Sequence, residues 1–541
     1  MSTNGRKQVV ILGGGFGGVY TAIQLEKFLG SNPDFDIHLV NHENYFVFQP
    51  MLAEVISGSI GIMDAVTPIA QLLKKTKIHV RDVEQIDLKE KLVYTSPGFV
   101  PKPHILPYDH LVIAMGKVTH FRGMPGMPEH AIPFKNLGDA LYIRNHTIHA
   151  VEEADIEEDP KLRRELLTFV IAGGGFSGVE AAADLNSFLR HTAQHHYERV
   201  APEDIRVILL HAQDRILPEL SQELGRFAQR VIQKQGVEIR FNTRLAAATK
   251  TEAILSNGER IPTRTLISTV PASSNPIIEK LDIPKDRGHI KASLEMQVEG
   301  SDHVWALGDC AVIPHPSGKG FCPPTAQFGM RQGPIAAHNI VASIRGGSRK
   351  KFGFKGLGSM CSLGHQSGVA EIMGLHFSGI LAWLMWRVIY LSKLPGLDRK
   401  VKVAIAWILD FFFPPDLVQL KLFGHKAVKQ EHYEPGEEVF HQGDLGDRIY
   451  IMISGKSRVL VTDHDGNEKT LAELGPGEYF GEMALLNKTT RGASVRCIEP
   501  MDVLCLRKQE FGALATHLPD LRASFEKKMH QRLGGSAPPS Q

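Results

Sequence analysis

Val9-Val10-Ile11-Leu12-Gly13-Gly14-Gly15-Phe16-Gly17-Gly18 and Phe169-Val170-Ile171-Ala172-Gly173-Gly174-Gly175-Phe176-Ser177-Gly178 decide the fold. Each begins with four apolar residues, as expected of a parallel strand buried on both faces. Each continues as G-x-G-x-x-G into a helical stretch, and a second strand follows at Asp36–Val40 and at Ile205–Leu210. Glycine content alone yields about 0.4 such glycine patterns in a chain of this length. Four preceding apolar residues cut that to about 0.015, so two matches are a duplicated βαβ unit. The spacing has a physical basis. Gly13 and Gly173 permit the tight turn, Gly15 and Gly175 let backbone approach a pyrophosphate, and Gly18 and Gly178 let helix and strand pack closely. The helix N-terminus adds free N–H groups and partial positive charge. Two dinucleotide sites follow, most simply one for a flavin and one for a nicotinamide, between which a hydride can pass.

Composition narrows the rest. The chain has 541 residues, 43% hydrophobic and 22% charged, with 51 glycines. That is a globular composition, with room for three or four domains. The net charge of +2 gives no reason to expect nucleic acid as a partner. Five cysteines, none in CxxC and none before Cys310, exclude a flavin-side thiol relay in the first unit. They are expected to be buried small hydrophobes. His191, His195 and His196 lack a third ligand nearby and read as a helix face, so no metal is expected.

The acidic residue that usually binds a ribose at the end of the second strand is missing twice. Asn41 stands there in the first copy, with Glu43 two residues on; His211 stands there in the second, with Arg215 four residues on. A carboxylate would repel a 2′-phosphate. His211 with Arg215 leaves NADPH open, while a neutral His211 still suits the ribose of NADH.

Six ordered segments carry a family resemblance: NYFVFQPML (Asn44–Leu52), YDHLVIAMG (Tyr108–Gly116), TFVIAGGGFSGVEAAADL (Thr168–Leu185), ALGDCA (Ala306–Ala311), PPTAQFGMRQG (Pro323–Gly333) and GSMCSLGHQSGVAEIMGLHFSGILAWLMW (Gly358–Trp386). The chain to about Leu420 resembles type II NADH:quinone oxidoreductases, single-subunit and non-pumping. The resemblance implies that Gly13, Gly15, Gly18, Gln49, Pro50, Ala114, Gly116, Asp309 and Ala326 meet FAD, to which the strand-end position adds Glu43. It implies Gly173, Gly175, Gly178 and Glu180 for NADH or NADPH, to which the strand-end position adds His211 and Arg215, and Gln327 and Gln332 for the quinone. Glu180 and Gln327 are the expected catalytic groups, beside the flavin–nicotinamide junction and the quinone. Ser268–Ala272 departs from the family pattern, which bears on nicotinamide selectivity. A homodimer is the expected assembly.

A quinone is lipid-soluble, and Gly379–Leu391 and Val401–Phe413 are dense in apolar and aromatic residues. At 13 residues each they fall short of the ~20 that span a bilayer. Arg387, Lys402 and Asp410 interrupt them. Trp383, Trp386 and Trp407 lie here, and tryptophan favours the membrane–water interface. Gly379–Gln430 carries eight Lys/Arg against three Asp/Glu, a net +5, which suits an anionic leaflet. Two helices lying on the cytoplasmic face of the cell membrane are predicted, with the protein peripheral there.

YEPGEEVFHQGDLGDRIYIMISGKSRVL (Tyr433–Leu460) and LGPGEYFGEMALLNKTTRGASVRC (Leu474–Cys497) resemble the cyclic-nucleotide-binding domains of kinase regulatory subunits and the catabolite activator protein. That implies a β jelly-roll in which Gly481, Glu482, Arg491 and Ser494 hold the ligand: backbone N–H groups and Arg491 on the phosphate, Glu482 on the ribose. Gly492 lacks the hydroxyl that often marks cGMP preference, which favours cAMP.

The expected fold is α/β: two Rossmann-like dinucleotide-binding domains, membrane-surface helices and a C-terminal β jelly-roll. The boundaries are 1–167 with 286–350 for FAD, 168–285 for NAD(P)H, 351–424 for the membrane-associating region, 425–533 for the cyclic-nucleotide domain and 534–541 for a disordered tail. The expected function is NADH (or NADPH) oxidation through FAD with reduction of a membrane quinone, regulated by a cyclic nucleotide. The alternatives are a redox or cyclic-nucleotide sensor of low turnover, or another NAD(P)H-dependent flavoprotein reductase.

Overall fold

The protein was analysed as a computed structural model, which describes residues 5–29, 33–96, 104–119, 121, 124–269, 273–413, 416–420, 429–444, 448–463, 467–481 and 491–507. Glu482 and the tail 534–541 lie outside the described residues.

Two five-stranded parallel sheets form the body. The first runs Val304–Ala306, His110–Ile113, Lys7–Leu12, Phe35–Asn41, Lys77–Val80. The second runs Ala131–Pro133, Thr265–Ser268, Thr168–Ala172, Arg206–Leu210, Val237–Arg240. In each, the strand before the glycine loop is central and fully apolar at its C-terminal end, as parallel strands covered on both faces require. Val9 to Leu12 and Phe169 to Ile171 have no solvent exposure. Each unit also carries a three-stranded antiparallel meander, Val83–Asp87, Leu92–Thr95, His104–Pro107 in the first and Leu245–Ala248, Glu252–Leu255, Arg260–Pro262 in the second. One boundary needs correction. Ala131–Pro133 falls inside the segment 1–167 assigned to the first domain, yet it forms an edge strand of the second sheet. A three-residue strand has too short a pattern to be read by periodicity.

The helix Phe16–Phe28 packs against Ala326–Arg345 at very close range. A Cβ on Gly333 would lie 2.8 Å from the Thr21 nitrogen and 2.9 Å from the Gly17 oxygen. This brings the PPTAQFGMRQG segment onto the first glycine loop.

After the body, Gly358–Ser362, Gly368–Ile372 and Leu375–Ser378 form an antiparallel sheet followed by helices Gly379–Lys393 and Leu397–Phe412. No helix among the described residues is long and apolar enough to cross a membrane. The tryptophans are not where the sequence suggested. Trp386 is 2% exposed, and Trp383 and Trp407 are also buried, while Val388, Ile408 and Phe412 are 65%, 60% and 71% exposed. The indoles face inward because a buried charge needs them, as shown below.

The C-terminal unit is antiparallel. Its main strands run Lys429–Tyr433, Ser494–Arg507, Arg448–Thr462, Glu468–Leu474 around a core of Tyr433, Tyr450, Phe480 and Val503. It touches the second dinucleotide unit, where His130 Nε2 lies 2.9 Å from the His432 carbonyl oxygen.

The two crossings predict one outcome. A Cβ on Gly18 would lie 1.9 Å from the Gly13 oxygen, and on Gly178 1.8 Å from the Gly173 oxygen. Gly18→Ala and Gly178→Ala should each destabilise the chain by about 1–3 kcal/mol, the range for overpacked sites. Urea unfolding midpoints measure this.

Candidate functional site

Both glycine loops are built alike. Gly13 (φ +105°) and Gly173 (φ +119°) adopt backbone that only glycine takes without strain. A Cβ on Gly13 would strike the Ala114 oxygen at 2.3 Å, and one on Gly173 would strike Thr269 Oγ1 at 2.3 Å. Gly15 faces open space, and Gly175 meets only Glu219 Oε1 at 3.6 Å. Neither following helix has a side-chain cap or an acid in its first turn. The helix starts therefore offer unopposed N–H groups to an anion.

The residues replacing the missing carboxylates share a task. The Gly14 N–H donates to Asn41 Oδ1 (2.7 Å), and the Gly174 N–H donates to His211 Nδ1 (3.1 Å). His211 is buried, and burial lowers its pKa, so it accepts as a neutral ring. It therefore braces the loop from within. The Arg215 guanidinium donates to the Leu220 (2.9 Å) and Pro218 (3.1 Å) carbonyls of its own loop. Glu43 stays at the surface beside His42 (3.4 Å).

The remaining flavin-side residues converge on the first loop. Ala114 and Gly116 end the neighbouring strand, and Gly116 (φ +63°) opens to empty space. Gln49 and Pro50 form a short turn after the Phe46–Phe48 pair that packs against Phe16. Asp309 faces Lys135 Nζ at 3.9 Å. Ala326 begins the helix beneath. Gln332, expected at the quinone pocket, is instead 2% exposed and accepts from the Gly308 N–H at 2.9 Å. It shapes the Asp309 turn, because its side chain lies on the face of the helix that meets the first sheet. Gln327 projects the other way, donating to the Gly358 oxygen (3.0 Å). Cys310, Cys361, Cys497 and Cys505 are buried as expected, whereas Cys322 is half-buried; burial raises Cys310 to about 11.

Glu180, on the second turn of helix Phe176–His196, accepts from the Ser362 N–H at 3.2 Å, tying the second unit to the sheet that precedes helices Gly379–Lys393 and Leu397–Phe412, together the foot. Burial raises it to about 8. Its surroundings include residues whose part was not legible in the sequence. Arg387 lies 3.6 Å from Glu54 and 3.8 Å from Asp410. Its guanidinium stacks 4.0 Å from the Trp383 ring centroid and 4.8 Å from Trp407. Trp407 Nε1 also donates to Glu54 at 2.9 Å. Arg387 and Asp410 do not merely interrupt an apolar stretch; they are the charged core of the foot, and the indoles sheathe them. Asp184, one turn after Glu180, faces the same cluster. Burial and the charges of Glu54 and Asp410 raise it to about 8 against the opposing pull of Arg387; burial also raises Glu54 to about 7. The available signal was an acid inside each of two apolar helices, Leu52–Ser57 and Phe176–His196.

In the C-terminal unit, Arg491 is buried. It donates to the carbonyls of Gly481 (2.6 Å) and Arg448 (2.9 Å) and lies 4.1 Å over the Phe440 ring. Ser494 Oγ accepts from the Gln442 N–H at 2.9 Å. Gly481, Arg491 and Ser494 thus sit around one end of the strands.

Residues 7–338 match the model of the pyridine nucleotide-disulphide oxidoreductases. The chain belongs to that family. Residues 357–416 match the NDH2 C-terminal domain, and residues 430–517 match the cyclic nucleotide-binding domain. Homologues include the type II NADH:quinone oxidoreductase Ndh of Mycobacterium tuberculosis, 29% identical over 75% of this chain and 88% of that one. The demethylphylloquinone reductase NdbB of Synechocystis is 30% identical over 75% of this chain and 96% of that one. Among solved structures, NDH2 from Plasmodium falciparum in complex with NADH shares the fold at TM-score 0.70 and 18% identity, covering 76% of this chain and all of that one. In this pyridine nucleotide-disulphide oxidoreductase all five cysteines, which fall among the described residues, are free.

The raised carboxyls carry a sign. Asp184 and Glu180 hold their protons longer folded than unfolded, so their contribution to stability is complete below about pH 4 and lost as pH rises through about 8. Asp184→Asn should therefore lose less stability between pH 5 and pH 9 than the parent. Urea midpoints at the two pH values, compared between the proteins, check this.

Proposed function

We propose that the protein oxidises NADH through bound FAD and passes the electrons to a membrane quinone, without pumping protons. The observation that carries this reading is the placement of Glu180. It stands one turn past the second glycine loop and is hydrogen-bonded to the sheet that leads into the apolar foot. The open face at Gly15 and the uncapped helix start fit the FAD pyrophosphate, with Asp309 toward its sugar-alcohol chain. Gly173, Gly175 and Gly178 would hold the nicotinamide dinucleotide. FAD, when bound, supplies the hydride-accepting and electron-releasing chemistry. The chain's own residues position it, exclude water with Phe46, Phe48 and Tyr390, and hold a proton on Glu180 near neutral pH. Gln327 would meet the quinone at the start of the foot sheet. The Arg215 guanidinium, committed to its own loop carbonyls, favours NADH over NADPH.

The foot would sit on the lipid surface at the cytoplasmic face. Leu384, Val388, Ile408 and Phe412 present apolar area to solvent from two adjacent helices, beyond what isolated surface hydrophobes explain. The antiparallel unit, read as a small jelly-roll, would bind a cyclic nucleotide, cAMP by preference. Its contact with the second dinucleotide unit through His130 and His432 is a route by which ligand could reach the NADH site. Any such coupling is reciprocal at equilibrium.

Steady-state oxidation of NADH with a soluble quinone, with and without cAMP, tests the reading. Turnover above about 1 per second, preferring NADH, is the expected result; slower turnover with FAD bound points to a sensor. Calorimetry should detect cAMP binding weakened about 10- to 100-fold by Arg491→Ala, the loss of a charge-assisted contact; absence of heat in the parent removes the regulatory half of the reading. Serine at Leu384, Val388, Ile408 and Phe412 together should release the protein from sedimenting anionic vesicles. These positions are exposed, so folding should survive.

A further inference from the structure

The reaction proposed above needs a proton that NADH does not bring. NADH delivers a hydride, which is two electrons and one hydrogen nucleus. A quinone becomes a quinol by taking two electrons and two protons, so NADH, one solvent proton and quinone give NAD⁺ and quinol. That proton must come from solvent.

Glu180, Asp184, Ser187, His191 and His195 follow one another along helix Phe176–His196 at spacings of four, three, four and four residues. At 100° per residue they fall within about 80° of arc, on one face, over roughly 22 Å. Helix neighbours three and four apart touch side by side. From Asp184 outward the row opens to solvent: Asp184 is 8% exposed, Ser187 is half-buried, and His191 and His195 are at the surface with rings stacked 4.3 Å apart, while Glu180 at the inner end is half-buried. A cavity of about 680 Å³ runs beside it, lined by Asp184, Ser187, His191 and His195 and, from the facing helices, by Glu54, Arg387 and Asp410. Asp184 Oδ2 is fully buried and has no hydrogen-bond partner among the described residues. A buried carboxyl oxygen without a partner is costly unless water or a proton serves it, and the polar cavity has room for water.

We propose that this cavity is a water-filled proton inlet, in which His195 and His191 gather protons at the surface and Asp184 relays them to Glu180. The inference rests on the quinone-reducing reading. Each transfer moves one proton and no electrons: it leaves a histidine for the Asp184 carboxylate, leaves that for Glu180, and ends on the quinone oxygen, with the emptied groups reloaded from solvent. Glu54 and Asp410 favour the protonated form of Asp184, while Arg387 opposes it. That balance lets the proton both arrive and leave. Ser187 continues the row between Asp184 and His191 as a hydroxyl that both donates and accepts.

The test uses the full-length, FAD-loaded protein and a soluble quinone, and the parent enzyme establishes first that NADH reduces quinone at all. If it does not, the functional reading fails and the relay with it. If it does, Asp184→Asn should lower quinone turnover tenfold or more at pH 8 and less at pH 6. It should also increase the solvent deuterium isotope effect and be partly rescued by added formate. Bleaching of the flavin by NADH in the absence of quinone needs no solvent proton and separates relay loss from a distorted site. His191→Gln with His195→Gln, both at the surface, should weaken the alkaline side of the same pH profile. Parent-like turnover and pH profile in Asp184→Asn would overturn the proposal. A pH-independent loss without rescue, accompanied by slow flavin bleaching, would do so too, because it marks a structural role. A histidine pair without effect overturns the inlet as drawn.

Discussion

At two crossings the backbone of a helix start meets the strand end too closely for any side chain, and the body is arranged around them. Where Gly18 crosses Gly13, and Gly178 crosses Gly173, helix backbone touches the carbonyl that ends the central strand. That contact sets the helix start directly over the strand end. It leaves the first N–H groups pointing outward with no capping side chain to compete for them. An anion held there, as proposed, would use N–H groups left free by close packing rather than a separate construction. The braces differ in chemistry but not in geometry, an amide oxygen from Asn41 in one unit and a neutral imidazole nitrogen from His211 in the other.

The second constraint is charge kept away from water. Helices Gly379–Lys393 and Leu397–Phe412 expose apolar side chains on one side, yet their inner side carries Arg387 against Glu54 and Asp410. An isolated guanidinium there would be strongly unfavourable. Two indole faces and two carboxylates offset its desolvation. This explains why the tryptophans turn inward while aliphatic and phenyl groups face out. Burial beside this cluster raises Glu54 and Asp184 against the pull of Arg387, so groups that hold protons near neutral pH are a consequence of packing these helices against the body.

The antiparallel unit joins this frame at the second dinucleotide domain rather than at the foot, at least where His130 meets His432. Arg491 is held among backbone carbonyls and an aromatic ring. A ligand phosphate would have to compete with those carbonyls for the guanidinium, and such an exchange gives ligand binding a mechanical consequence for the strands that carry Gly481 and Arg448.

The sequence by itself determined the duplicated βαβ architecture, the six family segments and the separate C-terminal unit. Glycine spacing after an apolar run and short contiguous motifs are local properties, readable without distant partners. It also determined that Gly379–Leu391 and Val401–Phe413 are dense in apolar and aromatic residues, since composition alone carries that. Only the tertiary structure decided what individual polar residues do. Gln332 turned from a quinone contact into a brace for Gly308, and His211 and Arg215 into supports of their own loop. The role of a hydrogen-bonding side chain depends on which backbone group lies within 3 Å, and that is set by packing. The cluster of Glu54, Asp184, Arg387 and Asp410 was illegible for the same reason. Its members lie on four helices up to 356 residues apart, and burial, which raises Glu54 and Asp184 and lowers Arg387, exists only once those helices have met.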